Sequence, residues 1–387
     1  MPPDPIYLDH AATTPVRDEV FEAMRPFFGT RFGNPSSTHR WGREARVALD
    51  EARERIAQSL GARSDELVFT SGGTEGDNLA ILDAWRAMHE KGCTAVVSSP
   101  IEHKAVLGAI HQAAKEGAEE RILEVSIEGC VSLESFDDEV DEAVAVCSVM
   151  WVNNEIGTVQ QIPRLAETTK DRGVLIHTDA VQALGKVEID ASKQQFDLLS
   201  ISGHKIGAPK GIGALFIRRG TALHPLMHGG TQDRGRRPGT ENVASAIGLA
   251  RAVELALSER ESECRRLEML RENLETAILE HVPDAVIHGR NGPRAPHVLN
   301  ISIPGTDSES LLMALDLKGI AASGGSACQS GSISPSHVLL AMGVSPELAG
   351  SAIRMSLGAL TTEECVKRVA EVLPALVHKA RQLSTAS

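Results

Sequence analysis

Aromatic side chains are scarce in this sequence: eight Phe, three Trp and one Tyr make 3% of 387 residues. So few rings leave little material for stacking nucleic-acid bases. Positive charge is not in excess either. A net charge of −13 argues against a non-specific nucleic-acid or acidic-membrane surface, and no direct nucleic-acid partner is expected. Cysteine is sparse, with six residues at 93, 130, 147, 264, 328 and 365. None forms a CxxC or sits in a His/Cys cluster at zinc spacing, so neither a disulfide framework nor a metal site is expected. No apolar run approaches the roughly 18–20 residues that span a bilayer. The opening "MPPDPIYLDH" has no basic stretch followed by an apolar core, so no signal peptide is expected. A reducing cytoplasm is the expected compartment, where free thiols can be reactive.

What is present is the make-up of a soluble globular protein, with 42% hydrophobic and 24% charged residues. The length exceeds that at which single cores usually split, so two domains are expected. Short, β-branched apolar runs at 66–70, 94–99, 144–150, 174–178, 197–202 and 213–218 alternate with helical patterns at 37–60, 74–90, 103–116 and 163–171. The runs lack polar alternation, as in a parallel sheet covered on both faces, and the order predicts an α/β domain. Residues 241–281 predict one long helix or a helix pair between domains. A shorter alternation follows: strand 297–303, helix 307–318, strand 351–358 and helix 361–382, the last opened by Thr361 and Glu364 at capping-box spacing. The division expected is a large domain over 13–261 and a small α+β domain from 1–12 and 262–387.

Several motifs follow these strands. "FTSGGTEGDNLAI" (69–81) is a strand, a glycine turn and a helix start. Its glycines allow close backbone approach, and Thr74 adds a hydroxyl, a combination that suits a phosphate or an ordinary capped βα turn. Lys205 in "SGHKIGAPKGIGAL" stands just past a strand, where α/β sheets bind ligands and desolvation favours a reactive amine. A solvated loop lysine is the other reading, and Lys210 fits it. Asp179 in "HTDAVQALG" could hold a protonated ring nitrogen or cap a helix. His103 in "EHKAVL" and the paired amides of "VNNEIG" (152–157) complete the series. All of these follow successive strands, so all converge on one sheet edge, as a pyridoxal phosphate pocket requires. In "SGGSACQSGS" (323–332) a lone thiol, Cys328, sits in a glycine–serine run that reads as a mobile loop.

Together with "YLDHAATTP" (7–15), "FGNPSSTHRWG" (32–42), "GGTQDRGRRPGTENV" (229–243) and "SAIRMSLG" (351–358), these motifs run end to end in one order. The chain resembles the class I cysteine desulfurases of the NifS/IscS type, pyridoxal 5'-phosphate enzymes of the fold type I aminotransferase superfamily. The resemblance implies a large domain with a mostly parallel sheet of the seven-stranded type, and a smaller α+β domain carrying the cysteine loop at about 323–335. It implies that Lys205 forms the Schiff base with the cofactor, that Thr74, Ser202, His204 and the Gly73 backbone hold the phosphate, and that Asp179 pairs with the ring nitrogen. Gln182 would meet the ring hydroxyl and His103 would stack on the ring and move protons. Asn154 would lie near cofactor and substrate carboxylate, Arg354 would clamp that carboxylate, and Asn34 would assist. Thr240 would reach the phosphate of a partner subunit, which implies a homodimer.

The activity implied is removal of sulfur from L-cysteine, with L-alanine released and a persulfide left on Cys328 for a sulfur-acceptor protein. Iron–sulfur cluster assembly, tRNA thiolation and DNA phosphorothioation are all served by this family. The alternatives are a selenocysteine lyase or related pyridoxal phosphate enzyme, and a non-catalytic sulfur carrier or scaffold. Intact Lys205, Asp179 and Arg354 count against the scaffold, and the thiol on its loop counts against a plain aminotransferase. The loop departs from many relatives in its double glycine and in Gln329 after the cysteine.

Overall fold

The structure is a computed structural model that describes residues 4–170, 172–324 and 334–384. Its main sheet has seven strands in the order β2-β8-β7-β6-β5-β3-β4. These are β2 (Leu67–Thr70), β3 (Ala95–Ser98), β4 (Glu119–Ile122), β5 (Val144–Ser148), β6 (Leu175–Asp179), β7 (Leu198–Ser202) and β8 (Gly213–Ile217). The strands β4, β3, β5, β6 and β7 are mutually parallel, while β8 runs antiparallel to both β7 and β2. Only β8 is reversed, so the carboxyl ends of the other six lie along one edge. Every residue of β2, β3, β5, β7 and β8 is buried, which is why those strands read as unbroken apolar runs.

The edge strand β4 escaped the sequence reading. Its residues, Glu-Glu-Arg-Ile, are mostly exposed, and charge on an exposed edge deters pairing with other chains. The short helices Asp18–Met24 and Leu133–Glu139 escaped as well, and Ile162–Thr168 stops short of residue 171. The 241–281 pattern is a helix pair, Val243–Ser258 and Arg260–His281, broken at Glu259. Helix Arg40–Ser59 lays its Ala45, Leu49, Ala52 and Ile56 face into the same core as Ala246, Leu249 and Val253. These are i, i+3/i+4 positions, one stripe of each helix.

The carboxyl-terminal part has a four-stranded antiparallel sheet in the order β12-β13-β10-β9, from β9 (Val286–Ile287), β10 (Val298–Ser302), β12 (Ser323–Gly324) and β13 (Ala352–Ser356). Helices Arg260–His281 and Glu363–Ser384 pack on it around Leu270, Leu274, Leu299, Ile301, Ile353 and Leu373. The amino terminus joins this part rather than the main sheet. Strand β1 (Ile6–Tyr7) pairs in parallel with β11 (Ile320–Ala321), and Asp9 bridges to Ser356. Residues 9–14 then cross to the main sheet, where the Thr14 N–H donates to His204 O at 2.9 Å.

One aromatic cluster anchors the main core. Phe196 is fully buried, edge-on to Trp151 at 5.8 Å and to Phe216 at 5.6 Å. The guanidinium of Arg218 lies 5.4 Å from the Phe216 ring and its Nε donates to Phe196 O at 2.9 Å. Truncating Phe196→Ala is expected to destabilise the fold by about 3–5 kcal/mol. The measurement is a urea midpoint, which should fall with the slope of the transition unchanged.

Candidate active site

A cavity of about 410 Å³ opens at the carboxyl edge of the main sheet. It is lined by Gly73 and Thr74 after β2, His103 after β3, Asn154 after β5, Asp179 and Gln182 from β6 onward, and Ser202, His204 and Lys205 from β7 onward. Arg354 on β13 closes it from the smaller sheet. Ten of the residues singled out in the sequence are thus brought together. Asn34 and Thr240 are exposed and do not line the cavity, and Cys328 lies outside the described residues.

Close approach explains the glycines after β2. A Cβ on Gly73 would sit 2.7 Å from Val181 Cγ2, and one on Gly76 would sit 2.9 Å from Ser200 Oγ. The helix beginning at Gly73 therefore rests directly on the ends of β6 and β7. Glu75 secures this turn from outside, accepting from the Ser71 N–H at 2.7 Å and pairing with Arg237 at 2.8 Å. Of the two amides in "VNNEIG", Asn153 is consumed by the turn itself. Its Oδ1 accepts from the Glu155 and Ile156 N–H groups at 2.8 and 3.0 Å, and Asn154 is left facing the cavity.

His103 is the N-cap of helix Lys104–Lys115. Its Nδ1 accepts from the Ala105 N–H at 3.1 Å, so the ring proton of the neutral form resides on Nε2. Burial lowers its pKa, opposed by Asp179, while Lys205 and Lys104 lower it further. Asp179 is buried at the end of β6 with Oδ1 accepting from the Val181 N–H at 2.9 Å. Burial raises its pKa, and His103 and Lys205 pull it down. Two more buried acids crowd it. Asp77 is pushed well up by burial and by Asp179, and Glu102 is pushed up to about 8 by burial.

The amino-terminal crossing supplies contacts that the sequence reading did not assign. Lys205 Nζ donates to Ala11 O at 2.6 Å and to Ala12 O at 2.7 Å, and Gln182 Nε2 donates to the same Ala11 O at 2.8 Å. Arg354 Nη2 pairs with Asp9 Oδ1 at 2.8 Å, its Nη1 donates to Asn154 O at 2.9 Å, and its buried Nε has no partner among the described residues. Asp9, Ala11 and Ala12 lie within the quoted "YLDHAATTP", so the motif marked the place without revealing the roles. His337 also lines the cavity, its Nε2 3.0 Å from Glu102 O. The described chain on both sides of Cys328 reaches this site. Ser323 pairs with Arg354 across the sheet and donates to Asp9 Oδ1 at 3.0 Å, and Ser336 bonds the Glu155 carboxylate.

A lysine, a buried carboxylate, hydroxyls beside a glycine turn and an arginine, all at the carboxyl edge of one mostly parallel sheet, define a pyridoxal phosphate enzyme of fold type I. Residues 6–369 match the Aminotransferase class-V family model, and the chain belongs to that family. It is 46% identical to the cysteine desulfurase NifS of Azotobacter vinelandii over 98% of this chain and 94% of that one. It is 45% identical to the cysteine desulfurase IscS of Dictyoglomus turgidum, over 98% and 96%. A solved NifS-like protein superposes with a TM-score of 0.91 at 36% identity, covering 97% of this chain and all of the other. Within the class-V family, the chain is therefore one of the cysteine desulfurases.

The residues fit the cofactor of that family, pyridoxal phosphate. Asp179 is a buried carboxylate whose ionised form calls for a cation in the cavity, which a protonated ring nitrogen supplies. The hydroxyls of Thr74 and Ser202 and the ring of His204 offer donors to a phosphate.

Glu102 gives a pH test of this crowding. In the native protein it holds its proton up to about pH 8, whereas in the unfolded chain it releases it near the ordinary carboxyl value of 4.5. The native state thus binds more protons than the unfolded state between those values, and this group's contribution to stability is lost as pH rises through them. Its Oε1 accepts from Ser99 Oγ and the Met150 N–H, contacts that Glu102→Gln retains. The variant is expected to gain stability relative to the wild type on going from pH 5 to pH 8, measured as the difference in urea midpoints.

Proposed function

We propose that this protein removes sulfur from L-cysteine, releases L-alanine, and carries the sulfur as a persulfide on Cys328 to an acceptor protein. The observation that carries this reading is the convergence of Lys205, Asp179 and Arg354 on one cavity at which both described flanks of the Cys328 segment end. Pyridoxal phosphate, when bound, supplies the electron sink for the pair released as the Cα–H bond of the substrate breaks.

The residues of the chain do the rest. Arg354 binds the substrate carboxylate with the N–H groups that Asp9 and Asn154 leave over, Nε among them. Asp9 and Asn154 fix the plane of the guanidinium before substrate arrives, so little is lost in orienting it. Lys205 takes the proton from Cα and returns it later, and the carbonyls of Ala11 and Ala12 aim its amine. His103, with its proton on Nε2, serves as acid or base beside the substrate. Cys328 attacks as the thiolate: an S–S bond forms to the substrate sulfur and the substrate Cβ–S bond breaks, with the electron pair and a proton ending on Cβ. Alanine leaves and the persulfide remains to be handed on.

The active form in this reading is a homodimer in which Thr240 of the partner subunit completes the phosphate site. The support is a surface of exposed apolar residues, Phe28, Phe32 and Trp41 at 67%, 69% and 52% exposure. Glu241, next to Thr240, lies 3.5 Å from Arg46 on the helix that carries Trp41.

Two variants test the assignment. Lys205→Ala is expected to lose the visible absorption of the lysine-bound cofactor and to cut alanine release from L-cysteine by ~10²-fold or more. Cys328→Ala is expected to keep that absorption and to form no protein persulfide, read by alkylation and mass spectrometry. Persulfide formation at the wild-type rate in Cys328→Ala would remove that residue from the mechanism.

A further inference from the structure

A second recess, a cleft of about 540 Å³, shares Val181, Gln182 and Lys205 with the cofactor cavity and is otherwise built from different residues. Its apolar wall includes Leu184, Ala256, Leu357 and Leu360. Its polar wall is His10, Lys186 and His297, none of which the desulfurase reading uses.

These three groups are short of partners. His10 and His297 are each 4% exposed. Neither ring nitrogen of His10 has a hydrogen-bond partner among the described residues, and His297 has one only at Nε2, which donates to Gln182 Oε1 at 3.1 Å. Buried polar atoms left unpaired are uncommon in native proteins and call for a missing partner. Lys186 makes no ion pair among the described residues.

Two acid–base pairs of the cleft are already made. Glu259 holds Arg17 through two bonds of 2.7 and 2.8 Å, and Glu263 holds Arg266 through two of 2.8 and 2.7 Å. Asp18 and Glu19 sit exposed at the rim. Of the cations that belong to this cleft alone, Lys186 is the one that pairs with no carboxylate among the described residues. The charged groups acting on His297 are Lys186, Arg354, His10 and Arg271, all of one sign when ionised. An anion is favoured beside His297, while Glu263, which also acts on His10 and Lys186, is engaged with Arg266 and leaves no unpaired carboxylate inside the cleft among the described residues for the ammonium of an amino acid.

We propose that this cleft is a second, non-catalytic site for an aliphatic monocarboxylate, its carboxylate held by Lys186 and by a ring N–H of His10 and its alkyl chain against Leu184, Ala256 and Leu357. A mostly apolar recess with a few convergent polar groups is the usual form of a small-molecule site. Because His297 also holds Gln182, the site adjoins the cofactor cavity through one hydrogen bond.

The test is calorimetric titration of the cofactor-loaded enzyme with isocaproate, without L-cysteine, so that its outcome is independent of the desulfurase reading. The wild type is expected to bind one isocaproate per chain. Lys186→Met should weaken binding by about tenfold or more, the loss of one charge-assisted contact. Ala256→Phe, which fills the apolar wall, should abolish it. Melting curves confirm that each variant is folded, and the two cleft variants act from opposite walls, so either one alone decides. Absence of binding to the wild type, or wild-type affinity in a folded Lys186→Met or Ala256→Phe variant, would overturn the proposal.

Discussion

The ion pair between Asp9 and Arg354 is the contact on which the site depends. Arg354 is 2% exposed and belongs to the smaller sheet, while Asp9 begins the segment that crosses to the main sheet. Removing one partner of such a buried pair costs roughly 3–5 kcal/mol, because the other charge is left stranded. The pair also sets the path of the next residues. Two positions on, the carbonyl of Ala11 accepts from both Lys205 and Gln182, so one peptide group registers the lysine against the turn after β6. Arg354 on one sheet and Lys205 on another are thereby held in fixed relation by residues 9–12 of the chain.

The direction of the strands explains why the remaining groups meet. With only β8 reversed, six strands point their carboxyl ends to one edge, and each following turn delivers a side chain there. Sheets of this kind bind ligands at that edge because the turns, unlike the strands, are free to vary. The reversal of β8 has its own use. It brings Gly213 against Gly72, where a Cβ would lie 2.8 Å from the Gly72 Cα, so the phosphate turn can lie flat on the sheet. Glycine at 213 is a packing requirement of that approach, whereas at 72 it is the φ of +157° that favours glycine.

The parts legible in the sequence were those governed by one local rule. Buried strands announced themselves as apolar runs, and β4 did not because an edge strand with exposed glutamates has no such pattern. Site residues directly after strands, such as Asp179 and Lys205, could be placed from topology alone. Asp9, Ala11 and His297 could not, because their roles come from contacts across 345, 194 and 115 positions of chain. Ala11 and Ala12 act through backbone carbonyls, which no residue type advertises. The division of labour between Asn153 and Asn154 was likewise invisible, since only the turn geometry decides which amide is spent on it.

The electrostatics of the site are unbalanced in the chain alone. Asp77, Glu102 and Asp179 are all buried near one another, and His177 beneath them is kept neutral, its pKa pushed down to about 3 by burial. His177 therefore cannot serve as their counter-ion. It spans Ser148 at 2.8 Å and Ser200 at 3.0 Å instead, a polar strut across β5, β6 and β7. Three buried acids so close together resist full ionisation, since each raises the proton affinity of its neighbour. A protonated ring nitrogen at Asp179 changes that balance, because Asp179 is the one of the three that faces both His103 and Lys205. The same interaction would run in both directions: the cation would let Asp179 ionise, and ionised Asp179 would keep the ring protonated. A site built this way would hold its cofactor in the state that withdraws electrons, with acids that otherwise only weaken the fold.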